Sequence, residues 1–125
     1  MRYNDKDWQE ALDRIEQAKI NGGKAVNLSG LDITEIPEEL LALAPTLETL
    51  ILIGTLITDA APLEGLTNLR WLSLSHTLIT DAAPLAGLTN LTVLDLDGTQ
   101  ITDAAPLERL TNWGCDIYGI QELIK

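Results

Sequence analysis

The stretch "TLITDAAPL" stands at residues 55–63 and again, unchanged, at residues 77–85, and "TQITDAAPL" at residues 99–107 differs by one letter. Successive copies start 22 residues apart. A fixed period near twenty residues is typical of repeat proteins, in which short units stack and share one continuous core. The three copies therefore predict a stacked solenoid.

Each copy lies in one of three consecutive units, 47–68, 69–90 and 91–112, whose first halves share the pattern L-x-x-L-x-L. The two-residue alternation at the end of this pattern predicts a short strand with one buried face. In the second half, a proline pre-sets a tight helical turn, and an aspartate just upstream can accept hydrogen bonds from its free amides. These residues are Pro62, Pro84 and Pro106, and Asp59, Asp81 and Asp103.

The segment 1–23 differs from the repeats and predicts an amphipathic helix. Asn4 or Asp5 can cap its start, and the glycines of "NGG" at 21–23 can end it. One such helix cannot bury its own apolar face, so we expect it to cover the first repeat. Its apolar residues recur at three- and four-residue spacing and are Trp8, Ala11, Leu12, Ile15 and Ala18.

Composition limits the classes of partner. The chain has 125 residues, which is about one domain, and a formal net charge of −11. Arg70 is the only basic residue between Lys24 and Arg109. Nucleic acid and membrane surfaces are therefore not expected as partners, because binding them depends on clustered Lys and Arg.

The remaining features bear on location and organisation. Cys115 stands alone, so an internal disulfide is excluded and a reducing compartment is the simplest expectation. The start "MRYNDKDWQE" has no apolar stretch of the signal-peptide kind, and no run reaches membrane-spanning length. We expect a cytoplasmic protein, with a secreted effector as the alternative. One domain is expected, with a capping helix at 1–23, repeats at 24–46, 47–68, 69–90 and 91–112, and a partial repeat or cap at 113–125.

The units read L-x-x-L-x-L-x-x-T-x-I-T-D-A-A-P-L-x-x-L-T-N, which resembles the leucine-rich repeat, specifically the 22-residue class of bacterial internalin-like proteins. The helix running into "VNLSGLDITEIPEEL" at 26–40 is similar to the opening of bacterial proteins of this kind. The resemblance implies an α/β solenoid of four to five coils, with a parallel sheet on the concave face and short helical turns on the convex face. This chain has Leu or Thr where the family usually has Asn, and a Thr hydroxyl is a poorer bridge than an amide. The four positions are Leu31, Thr55, Thr77 and Thr99.

The alternation also predicts which side chains face a partner. If Leu50, Leu52 and their equivalents point inward, the residues between them point to the concave face. An apolar patch with an aromatic residue usually marks a contact surface, and Asp95 and Asp97 would flank it. The predicted partner-binding residues are Thr49, Ile51, Ile53, Trp71, Ser73, Ser75, His76, Val93, Asp95 and Asp97, and the first unit adds Ala25, Asn27 and Ser29 by the same register.

Other interpretations of these residues stay open. Ile51, Ile53, Trp71 and Val93 are also ordinary strand formers, and single exposed apolar side chains are common. His76 with Asp95 and Asp97 is a remote candidate for a metal or acid–base site. The sequence shows no Gly-rich phosphate loop and no Cys/His cluster, so we predict no enzyme and no cofactor.

The C-terminal segment is the least regular. Trp113 stands where a fifth unit would place its leading Leu, and we expect a last strand at 114–118 and a closing turn at 120–124. Either Cys115 and Ile117 face inward, or Asp116 breaks the register. An incompletely covered sheet edge would allow pairing with a second copy. We therefore predict an interaction module that binds a protein or peptide, with a structural or regulatory recognition fragment that self-associates through its C-terminal edge as the alternative.

Overall fold

The computed structural model describes residues 4–123 and shows short strands that alternate with helical returns around one continuous hydrophobic core. Helix α1 (Asp5–Ile20) precedes parallel strands that form one sheet in chain order: β1 Ala25–Asn27, β2 Thr49–Ile51, β3 Trp71–Ser73, β4 Val93–Asp95 and β5 Asp116–Tyr118. The helical returns are 3₁₀ segments at Glu38–Leu43, Ala61–Gly65, Ala83–Leu85, Ala105–Leu107 and Gln121–Leu123, with a short helix α2 at Glu108–Asn112. The predicted α/β solenoid with an N-terminal helix is confirmed.

The register of the sheet reproduces the sequence period. Thr49 pairs with Trp71 and Trp71 with Val93, so these three strands are offset by 22 residues each. The first and last steps are longer, because Ala25 pairs with Thr49 and Val93 with Asp116. Identical units therefore stack in register, and the extra residues are confined to the two ends.

The core is a ladder of inward-facing leucines. Leu50, Leu72 and Leu94 are register partners on adjacent strands, and each is fully buried. Because each unit is too small to bury its own leucines, this burial is a property of the stack. It fixes the opposite side of every strand as the exposed concave face.

Helix α1 covers the first coil as predicted. Asn4 Oδ1 accepts a hydrogen bond from Asp7 N at 3.1 Å and caps the helix. Trp8, Ala11 and Ile15 are buried against the first coil.

Polar contacts also tie α1 to the edge of the sheet. Arg14 Nη1 donates to the carbonyl oxygens of Asn27 at 3.2 Å and Ser29 at 3.5 Å, and Asp7 Oδ2 accepts from Asp32 N at 2.7 Å. The outer edge beside β1 is therefore bonded to the helix, which protects it from pairing with another chain.

The repeated aspartates cap the helical returns. Asp59, Asp81 and Asp103 each accept, through Oδ1, a hydrogen bond from the amide two residues ahead, at 2.9, 2.9 and 3.0 Å. A proline follows in the first turn of each of these 3₁₀ segments. The bend predicted from "TDAAPL" is confirmed, and a local cap accounts for each carboxylate.

This cap gives a prediction for Asp81. We expect Asp81→Ala to lower the free energy of unfolding by about 0.5–1 kcal/mol, because the Ala83 amide loses its acceptor. Asp81→Asn keeps an acceptor oxygen at the same place and should cost less. Urea denaturation of both variants measures the difference. Equal losses would mean that the carboxylate charge, and not the hydrogen bond, stabilises the bend.

The threonines that replace Asn bond within their own coils. The hydroxyl groups of Thr55, Thr77 and Thr99 donate to the carbonyl three residues back, at 2.9, 2.7 and 2.8 Å. Side-chain bonds between coils come instead from other residues, among them Thr92, whose hydroxyl donates to the Arg70 oxygen at 2.9 Å, and the Asn that ends two of the units. Asn68 Nδ2 donates to the Ala44 and Pro45 oxygens at 3.2 Å each, and Asn90 Nδ2 donates to the Thr67 oxygen at 2.8 Å.

The last coil settles the open question of its register. Cys115 and Ile117 face inward, whereas Asp116 and Tyr118 face outward. Trp113 stands where the other units have a buried leading Leu, but its own side chain is 70% exposed. The extra residue in this coil moves Trp113 to the end of α2 and out of the core. Ile124 lies outside the described residues.

Of the helices within the described part of the chain, none has both the length and the apolar character required to cross a bilayer.

Candidate functional site

The concave face carries an apolar patch, defined here as Ile51, Ile53, Trp71 and Val93. Trp71 lies in the central strand between Thr49 and Val93, and half of its side chain is exposed. Ile51 and Val93 are half-buried, and Ile53, one step along from Ile51, is exposed. Ile51 pairs with Ser73 and not with Trp71, so the patch runs diagonally across three strands.

Two predicted contact residues are not available to a partner. Ser73 and Ser75 lie on the concave face, but only 2% and 5% of each is exposed. Each serine lies between two longer side chains, an isoleucine of the preceding coil and an aspartate of the next. Ser73 Oγ also contacts Asp95 Oδ2 at 3.4 Å and accepts from Ser75 N at 3.4 Å. The prediction of exposed serines is therefore corrected: they form the floor between the apolar patch and the aspartates.

An acidic group adjoins this floor on the C-terminal side. Asp95 Oδ1 accepts from Asp97 N at 3.0 Å, which holds the Asp95 carboxylate at the end of β4. Asp97 and Asp116 are exposed. Within residues 4–123 the salt bridge present joins Arg14 to Glu10 on α1, so the three carboxylates have no ion pair.

The structure adds two residues to the face. Asp116 pairs with Val93 and Tyr118 with Asp95, and both side chains point outward from β5. Tyr118 is 48% exposed. The alternation in "CDIY" predicts that Asp116 and Tyr118 point to the same face. It shows that this face is the outer one only when Cys115 and Ile117 are known to be buried.

His76 occupies a strained position beside this face. Its φ of 58° is the one positive value at a non-glycine residue in the described chain, and the equivalent residues of other units are Gly30, Gly54 and Gly98. Its imidazole lies over Gly98, in the space that a β-carbon there would fill. The ring therefore packs on the next coil, which offsets part of the cost of the left-handed backbone.

The geometry around His76 does not support the alternative of a metal site with Asp95 and Asp97. His76 and Asp97 meet through the backbone, where His76 N donates to Asp97 O at 2.8 Å. Over residues 4–123, no group of three or more His, Cys, Asp and Glu side chains is placed to hold a metal ion.

Cys115 has the environment of a buried structural thiol. Burial, with a smaller contribution from the Asp116 charge, raises the pKa of its thiol from 9.0 to about 11. The thiol is therefore protonated at neutral pH, and a protonated thiol is a poor nucleophile.

Comparisons with known proteins agree with this architecture. Residues 67–109 match the family model for leucine-rich repeats in two copies. Three solved structures are similar. An internalin (inlF) from Listeria monocytogenes has 29% sequence identity and a TM-score of 0.75. An internalin C2 from the same species has 31% identity and a TM-score of 0.59, and a leucine-rich-repeat protein of Leptospira interrogans has 30% identity and a TM-score of 0.61.

The matches cover most of this chain but a much smaller share of each of the larger proteins. The alignments cover 91%, 75% and 75% of this chain, but only 36%, 51% and 24% of the three structures in the same order. The chain thus spans about a third of the first internalin and half of the second. A search of curated proteins gave no significant match.

Proposed function

We propose that this chain, a leucine-rich-repeat protein similar to the bacterial internalins, binds a protein or peptide on its concave face and carries out no chemistry itself. Leucine-rich-repeat proteins generally act as protein-interaction modules, because a stacked solenoid offers one extended concave surface. The identity of the partner and the cytoplasmic location stay predictions.

The exposure of Trp71 carries this proposal. A tryptophan that is 50% exposed in the central strand, with Ile51, Ile53 and Val93 around it, leaves a contiguous apolar surface in contact with water. Such surfaces mark contact sites, and tryptophan is the residue type most enriched where contacts contribute most to affinity. On the convex side, the repeated aspartates and prolines are explained by the bends that they form. They therefore give no comparable indication of a binding site.

The described residues also support a non-catalytic role. Cys115 is held protonated, and the His76 ring packs on Gly98 rather than beside a nucleophile. The pairing of a nucleophile with a base, which acyl- or group-transfer chemistry needs, is therefore not formed by these two residues.

The test is affinity capture with a variant of the apolar patch. We expect Ile51→Asp/Trp71→Asp to lose a protein that wild type retains from a lysate of the source cells, because two buried charges in the interface remove its apolar contact. Circular dichroism first establishes that the variant is folded.

The matched control is Ile20→Asp/Trp113→Asp. It makes the same two replacements at exposed residues outside the concave face, where the wild-type side chains are 69% and 70% exposed. It should capture the partner as wild type does. If this control loses the partner and the patch variant keeps it, the concave face is not the binding site.

Self-association through the C-terminal edge is the second candidate. In contrast to the edge beside β1, the outer side of β5 has no helix bonded to it within the described residues, and Trp113 and Tyr118 are exposed nearby. Asp116 at this edge opposes it, because two copies would bring like charges together. A wild-type mass that rises with protein concentration, together with a lower mass for Trp113→Ser at the same concentration, would favour this candidate.

A further inference from the structure

We infer that the partner segment is basic as well as apolar: a peptide stretch in which Lys or Arg lies two or three residues from a large apolar side chain. This inference rests on the proposed function, since it assigns the chemistry of the ligand to the same concave face. It follows from what lies beside the apolar patch and from the charge of the whole chain.

The concave face has two halves of different character. Trp71 and Val93 form an apolar row at the start of their strands, whereas Asp95 lies at the end of β4 and Asp97 two residues beyond it. Asp116 lies beside Val93 on β5. The apolar patch is therefore bordered by carboxylates on its C-terminal side.

These carboxylates are not neutralised by the protein. The described residues of the five strands include no Lys or Arg, and the salt bridge of the described chain lies on α1. Lys24 and Arg70 line a groove with Glu48 at the amino-terminal end of the strands, opposite to Asp95 and Asp97. A ligand that brings cations to Asp95 and Asp97 would supply charges that the face lacks.

A second copy of the chain is a poor occupant of this surface. Each copy carries a formal net charge of −11. Placing another copy against Asp95, Asp97 and Asp116 would add like charges, whereas a basic peptide is attracted.

The spacing of the two halves sets the pattern in the ligand. Adjacent strands lie about 4.8 Å apart, and residues two positions along a strand are about 6.6 Å apart. Trp71 and Asp95 are one strand and two positions apart, which gives roughly 8 Å between their backbones. An extended peptide covers that distance in two to three residues. Arg suits the acidic half best, because its planar fork can bond a carboxylate twice.

The test begins with a displayed library of random short peptides selected on wild-type protein. We expect the recovered peptides that depend on Trp71 to be enriched in Lys or Arg two or three residues from an apolar side chain. Dependence is defined by loss of binding to Trp71→Ser and retention by Trp113→Ser, which replaces an exposed tryptophan elsewhere.

A second measurement isolates the charges. Asp95→Asn/Asp97→Asn keeps the acceptor for Asp97 N and removes two negative charges, whereas Glu38→Gln/Glu39→Gln removes two from the convex side. We expect the first to weaken binding of a recovered peptide by about fivefold and the second to change it by less than about twofold.

The outcomes separate the inference from the proposed function. Peptides that need Trp71 but lack basic residues, or that bind Asp95→Asn/Asp97→Asn like wild type, would overturn the inference and leave the proposed function standing. Peptides that bind Trp71→Ser as tightly as wild type, or a selection that yields none needing Trp71, would overturn both.

Discussion

Replacing Gly119 by alanine is expected to lower the free energy of unfolding by about 3 kcal/mol or more. Gly119 has a φ of 93°, which alone strains any side chain. Its Cα also faces the backbone of the preceding coil so closely that an added β-carbon would overlap Asp97 N and Cα and the carbonyl carbon of Leu96. Backbone cannot rotate aside as a side chain can, so β4 and the last coil must separate.

Gly114 provides the matched control for this prediction. Its φ of 92° is nearly the same, but a β-carbon there would meet no atom within 4 Å. Gly114→Ala therefore carries the conformational strain without the overlap and should cost about 1 kcal/mol.

Two measurements distinguish global from local damage in these variants. Urea denaturation reports the stability of the whole stack, and alkylation of Cys115 reports opening of the last coil, because its thiol is buried there. Gly119→Ala should speed alkylation well beyond Gly114→Ala. Equal behaviour of the two variants in both measurements would mean that the last coil is not packed on β4 as described.

Leu72→Ala is expected to cost about 2–5 kcal/mol. Leu72 is fully buried in the central strand, between Leu50 and Leu94 of the adjacent coils. Its removal leaves a cavity that identical neighbouring units cannot close, because each has its own leucine fixed in the same register.

Leu78→Ala is the matched control, because it makes the same substitution in the same unit but at an exposed side chain. Its side chain is 40% exposed, so Leu78→Ala should cost less than about 1 kcal/mol. Thermal or urea denaturation compares the two variants. A cost at Leu72 no larger than at Leu78 would contradict the assignment of Leu72 to the shared core.

The repeats made most of the fold predictable, for a physical reason. The same 22 residues can satisfy three stacked units only if each inward leucine meets its equivalent, and this determines strand direction, register and the buried face. The capping aspartates followed equally directly from local hydrogen bonding. The ends were harder, because one extra residue in the last coil displaced Trp113 and no second copy of that coil exists for comparison.

The candidate site was predictable in direction but not in exposure. Alternation identified Trp71 and Asp95 as outward, and the structure places both on the concave face. It could not show that Ser73 is covered, because that depends on the lengths of side chains on two other strands. The strain at His76 emerges only when its unit is aligned with the glycines of the others.

The most direct test of the concave-face proposal is fluorine NMR of protein labelled with fluorotryptophan. The chain has three tryptophans, at position 8 in the capping helix, at position 71 on the concave face and at position 113 beyond α2. They are 6%, 50% and 70% exposed, so they report separately on three regions. On addition of a captured partner, the Trp71 resonance should shift or broaden while those of Trp8 and Trp113 stay in place. A change at Trp113 with Trp71 unmoved would contradict the proposal and assign binding to the C-terminal edge.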